Sequence, residues 1–171
     1  MTSELETFRR TVEHIALVQR LLLSAQIELT RRIVTHDQTK LHSPEWEMYR
    51  EVIPKLEKLP YGSEEYKALV AEIQDGSLKH HFEHNRHHTE HFENGVNGMN
   101  LFDVLEMLID WIAHTKLRAD GDITRCIEIN SERFGISPQL KQIMCNTVPW
   151  MEDEFSDLKT QADIIRSRGL E

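Results

Sequence analysis

The chain is poor in the features that would place it outside an ordinary helical protein. Only two cysteines occur in 171 residues, Cys126 and Cys145, and no CxxC spacing is present. A disulfide framework and a thiolate zinc site are therefore both excluded, and two inert thiols suit a reducing, cytoplasmic setting. A basic block is also missing. Lys plus Arg is 20 against 29 for Asp plus Glu, a formal charge of −9. Binding to a nucleic-acid duplex needs a positive footprint that displaces counterions, so that partner is not expected. Long apolar runs are absent too. Stretches such as Leu21 to Leu23 are far too short to span a bilayer, and the opening MTSELETFRR carries no apolar signal region. With 7 glycines and 5 prolines, no low-complexity tract, repeat or obvious linker interrupts the chain. These absences describe one soluble intracellular domain over 1–171, long enough to bury a core without staples. A bound metal would then serve function rather than folding.

What is present is helical periodicity. Phe8, Val12, Ile15 and Leu22 recur near 3.6 residues, and no convincing period of two appears. Ser43-Pro44-Glu45 predicts a helix start, with a capping residue, a proline at the first helical position and an acid in the first turn. Ser63 before Glu64-Glu65 predicts another start, Gly76 an interruption, Asn100 a cap and Gly135 a stop. Ser137-Pro138 opens a penultimate helix, and a last one is expected from about Pro149 to Arg168. The expected fold is all-α, a compact bundle of about seven or eight helices.

Chemistry concentrates in two stretches. In THDQTKLHSPEW, His36 and Asp37 are adjacent, and neighbours in a regular helix point about 100° apart. Both reach one ion only where the helix is ending, which the polar Asp37-Gln38-Thr39-Lys40 suggests. An imidazole beside a carboxylate suits a divalent transition metal, Mn, Fe, Co, Ni or Zn. Further along, Asp103, Glu106, Asp110 and His114 share one helix face. Asp103 reads as a solvated acid, whereas Asp110, among Met107, Leu108, Ile109 and Trp111, needs a partner, and a metal is a good one.

The second stretch, KHHFEHNRHHTEHFENG, holds six of the ten histidines. Read as one helix, His80, His84, His87 and His91 form one stripe, and His81, His84 and His88 form an overlapping one. Either stripe could aim imidazoles into a cleft, or the histidines could simply pair with Glu83, Glu90 and Glu93 on a surface.

HDQTKL resembles the signature of HD-domain metal-dependent phosphohydrolases. That resemblance implies an HD-like fold and a metal held by His14, His36, Asp37 and Asp110, with Lys40 facing a substrate phosphate. It also implies that histidines between the pair and the last aspartate bind a second ion or the phosphate. His80 and His84 are the expected additional ligands, while Asn85, Arg86 and His88 would touch the substrate. The span from about Val12 to Ala113 is similar as well to an uncharacterised bacterial and phage family. Its marks are HDxSKxxPxE and HHxxHNxHHxEHF, here HDQTKLHSPEW and HHFEHNRHHTEHF. His14 precedes His36 by 22 residues, roughly 33 Å along a straight helix. If both are ligands the chain turns back, most simply at Ser24-Ala25-Gln26; if the helix runs straight, His14 is no ligand.

The function expected is hydrolysis of a nucleotide or other small phosphate ester by water activated on one ion or two. Lys40 and Arg86 would neutralise charge, and His84 or His88 would protonate the leaving oxygen. Two readings from other classes stand beside it: a non-catalytic metal- or phosphate-binding module, and a pH-responsive interaction protein. A homo-oligomer is compatible with each of them.

Overall fold

A computed structural model describes residues 2–60, 62–73, 76–118 and 121–153. Seven α-helices account for most of them: α1 (Thr2–Thr35), α2 (Glu45–Leu56), α3 (Glu64–Ile73), α4 (Ser77–His84), α5 (Leu101–Lys116), α6 (Ile123–Phe134) and α7 (Pro138–Asp153). Three short 3-10 turns, Gln38–Leu41, Thr89–His91 and Gly95–Gly98, complete the regular structure, and no strand occurs among the described residues. The fold is all-α, as the periodicity predicts. No described helix is long and apolar enough to cross a membrane.

Contacts divide the chain into two units, Met1–Met107 and Leu108–Glu171, with the division falling inside α5. In the second unit, apolar side chains of Leu108, Ile112, Cys126, Ile127, Met144 and Val148 are buried, and Trp111 stacks on Phe134. Asp122 caps α6 by accepting from the Arg125 amide, and Gly135, at φ 64°, closes it in the left-handed conformation that glycine takes without strain. Pro149 does not open a new helix but lies inside α7. The rest of the expected last helix, beyond residue 153, lies outside the described residues.

The first unit has a different interior. Its most deeply buried side chains include Glu45 and Asp103, both 0% exposed, His81 at 1% and His87 at 2%. Charges are almost never buried this deeply without partners, so the unit is organised around a polar network. Three local features build it. Helix α1 runs without a break through Ser24-Ala25-Gln26 and ends at Thr35; Asp37 then takes φ 55°, ψ 15° and turns the chain sharply. Helix α2 packs on the Gln38–Leu41 turn and on α4. Its start lies at Glu45 with Pro44 in the cap position, where proline has no side-chain acceptor to offer, and Glu45 is turned inward. Helix α4 stops at His84, since Asn85 is extended at φ −121°, ψ 107°. The Asn85 amide donates both to Thr39 Oγ1 and to the carbonyl of His81, each at 2.8 Å. Asparagine thus captures a carbonyl at the end of α4 and terminates it.

Candidate metal centre

The end of α1 presents Asp37 to the interior. Lys40 Nζ donates to Asp37 Oδ2 at 2.5 Å, and His36 Nε2 lies 3.4 Å from the same oxygen. The other oxygen, Oδ1, is buried and accepts no hydrogen bond from the described residues. It nevertheless faces two imidazoles, with His81 Nε2 at 3.3 Å and His87 Nε2 at 3.4 Å. His88 Nε2 lies 2.9 Å from His81 Nε2. Donor atoms of Asp37, His81, His87 and His88 all fall within 4.8 Å of one another.

Carboxylates orient these rings from behind. His81 Nδ1 bonds Glu45 Oε2 at 2.7 Å, His36 Nδ1 bonds Glu106 Oε1 at 2.9 Å, and His87 Nδ1 lies 3.5 Å from that Glu106 oxygen. An ionised carboxylate only accepts, so the proton on His81 and His36 sits on Nδ1 and the lone pair sits on Nε2. This carboxylate–histidine arrangement is the usual support behind metal-bound imidazoles. It also sets the Nε2 lone pair of His81 against the lone pairs of Asp37 Oδ1, two acceptors that only a cation or an added proton reconciles. The residues therefore fit a divalent transition metal, for which imidazole with one carboxylate is a suitable donor set.

The electrostatics agree. Burial would raise the Asp37 pKa, but the His87 ring, the Lys40 ammonium and His36 outweigh it and hold the carboxyl well below its usual range. Glu106 is likewise kept anionic against burial by His36, His87 and Arg32, and Glu45 by His80, His81 and Thr39. His81 is pushed down, first by burial and then by the Lys40 charge, which favours the neutral ring a ligand requires.

The remaining expected residues are placed as follows. His14 lies exposed on the unbroken α1, 22 residues before His36 and roughly 33 Å away along the axis, so it is not a ligand with His36. The single histidine helix does not form, because Asn85 interrupts it, and the stripes built on that helix dissolve with it. His80 turns to Glu45 Oε1 at 2.8 Å, and exposed His84 bonds the His80 carbonyl through Nδ1 while stacking on that ring. Neither belongs to the converging donor set, whereas His88 does. Arg86 clasps both oxygens of Asp103 and lies over Phe92. Asp103 is no solvated acid: it is wholly buried, and Arg32 bonds it as well as Glu106. Asp110 follows Glu106 by one turn of α5 and belongs to the second unit; the donor set above is drawn from the first unit alone.

The sequence places His81 and His87 only on helix stripes, Glu106 only on an acidic face and Glu45 only at a helix start, and assigns none of the four a role in the site. The Asn85-Arg86 pair amid the histidines was the local signal that the helix breaks, and with it the stripe count fails. Beside the centre lies a pocket of about 230 Å³, with Arg31, Arg32, Arg86, His36, His87 and Glu106 in its wall.

A family model described as Family of unknown function (DUF5662) matches residues 3–150. No curated protein and no solved structure matches the chain.

Proposed function

The chain belongs to the family of unknown function DUF5662, and for this member we propose a divalent-metal-dependent phosphohydrolase acting on a nucleotide or other small phosphate ester. Asp37, His81, His87 and His88 hold the ion in this reading, with His36 beside them on Asp37 Oδ2. The observation that carries the proposal is the convergence of imidazole Nε2 atoms on the buried Asp37 Oδ1, with Nδ1 of His81 turned back onto Glu45. A bound divalent ion supplies Lewis acidity and a water that ionises near neutral pH. The chain's own groups do the rest. Arg31 and Arg86 offer positive charge to an anion in the adjoining pocket, and exposed His84 on the same wall is placed to give a proton to a leaving oxygen. The adjacent His36-Asp37 pair at a helix end, followed by histidines on the next segments, is the likeness to HD-type phosphohydrolases that supports this substrate class.

The decisive experiment purifies the protein without a metal-affinity tag, measures bound metals by elemental analysis, and screens phosphate esters with added Mn, Co, Ni, Zn and Mg. About one equivalent of metal per chain is expected, lost in Asp37→Ala and His87→Ala, together with hydrolysis of at least one ester. Unchanged metal content in Asp37→Ala would sink the site. A second reading, a metal- or phosphate-binding module without turnover, is favoured by the carboxylate partners that Lys40 and Arg86 already have. Metal-dependent phosphate binding with no hydrolysis of any ester would decide for it.

A further inference from the structure

Helix α1 is a 34-residue rod, about 51 Å long, and every residue from Ser3 to Ser24 except Glu6 is exposed. Its apolar residues are not scattered. Starting at Leu5, steps of three and four residues lead through Phe8, Val12, Ile15, Gln19, Leu22, Gln26 and Leu29 to Ile33, more than four heptads with seven of nine positions apolar. This is the seam spacing of a coiled coil, and the flanking Ala16, Val18, Leu23 and Ala25 widen it. Leu5, Phe8, Val12, Ile15, Leu22 and Ile33 are 47–77% exposed.

We propose that this seam is the interface through which α1 pairs with α1 of a second copy of the chain. The area is sufficient. With about 180 Å² for a free side chain of this size, those residues together with Val18 and Leu23 present on the order of 800 Å² per chain, the share each partner buries in a stable complex. A monomer rarely leaves so large a contiguous apolar stripe in water. The two glutamines, both at the same heptad position, are the kind of polar interruption that fixes register between like helices. The most exposed part of the seam, from Leu5 to Leu22, lies N-terminal to the residues of α1 that support the candidate metal centre. At about 100° per residue, Glu28 and Thr35 lie on the side of α1 away from the seam, whereas Arg32, which reaches Asp103 and Glu106, flanks it between Leu29 and Ile33.

Sedimentation or light scattering on the full chain tests this independently of any activity. The wild type should run at twice the chain mass at low micromolar concentration. Ile15→Glu/Leu22→Glu should weaken dimerisation by at least about 100-fold, because two carboxylates would be buried in the seam. Ser24→Glu, on the opposite face, should leave the dimer intact, and both variants should keep the wild-type metal content. A monomeric wild type would overturn the proposal and assign the stripe to other residues of the same chain or to a different protein. A dimer that survives the glutamates would overturn it as well, by placing the contact elsewhere.

Discussion

At the scale of single residues, the site depends on carboxylates that stand behind the imidazoles. Glu45 fixes the proton of His81 on Nδ1, and Glu106 does the same for His36. Glu45→Gln keeps the shape but offers an amide in place of one carboxylate oxygen, so the ring loses its fixed tautomer. Metal affinity should fall by roughly 10- to 100-fold, measured by competition with a chelating dye, with little change in helix content. Asp103 supports the network by holding Arg32 and Arg86 together, and replacing it leaves two guanidiniums short of their shared partner. Asp103→Asn should cost about 3 kcal/mol by urea unfolding at pH 7. Its pH dependence has a definite sign. Burial would raise the carboxyl, but Arg86, the Asn100 amide and Arg32 hold it below its ordinary value, so folding favours the ionised form. The stabilisation is complete above the unfolded pKa of about 3.9 and disappears as pH falls through the folded value. The gap between wild type and Asp103→Asn should therefore close in acid; a gap that widens there would contradict the assignment.

At the scale of elements, two interruptions decide what the histidines can do. One is absent where it was expected: α1 does not turn at Ser24, and His14 stays far from His36. His14→Ala should accordingly leave metal content and turnover at wild-type levels, while His87→Ala abolishes bound metal. The other interruption is Asn85, which ends α4 and lets His87 and His88 swing back beside His81. Asn85→Ala removes two buried hydrogen bonds and frees α4 to continue past His84. A loss of roughly 1–3 kcal/mol is expected, with a metal affinity well below that of a surface control such as Glu83→Ala. The amphipathic periodicity made the helices legible in the sequence, along with the cap at Asn100 and the stop at Gly135. Helical wheels could not reveal which face of the histidine segment mattered, because the segment is not one helix. A side-chain amide competing for a backbone carbonyl is a matter of two hydrogen bonds, too small to disturb periodicity and large enough to redirect three imidazoles.

At the scale of the whole chain, the two units differ in what holds them together. The second buries Leu108, Ile112, Ile127 and Met144, whereas the first buries Glu45, His81, His87 and Asp103. A cation at the centre would offset like charges and facing lone pairs only in the first. Metal at 100 times its dissociation constant should add about 2.7 kcal/mol there. Hydrogen exchange should show chelation releasing protection in α4 and the His36–Leu41 segment while α6 and α7 keep theirs. The sequence by itself determined the helical class, the two stretches where donor residues concentrate, and the family to which the chain belongs, because periodicity and residue type are local properties. Only the tertiary structure decided that His81, His87 and His88 face Asp37 while His14, His80 and His84 do not, and that Glu45, Glu106 and Asp103 are buried partners. Convergence on one point depends on where helices end and which carboxylate stands behind each ring, and the hydrogen-bonded pairs His81–Glu45 and His36–Glu106 lie 36 and 70 residues apart in the chain.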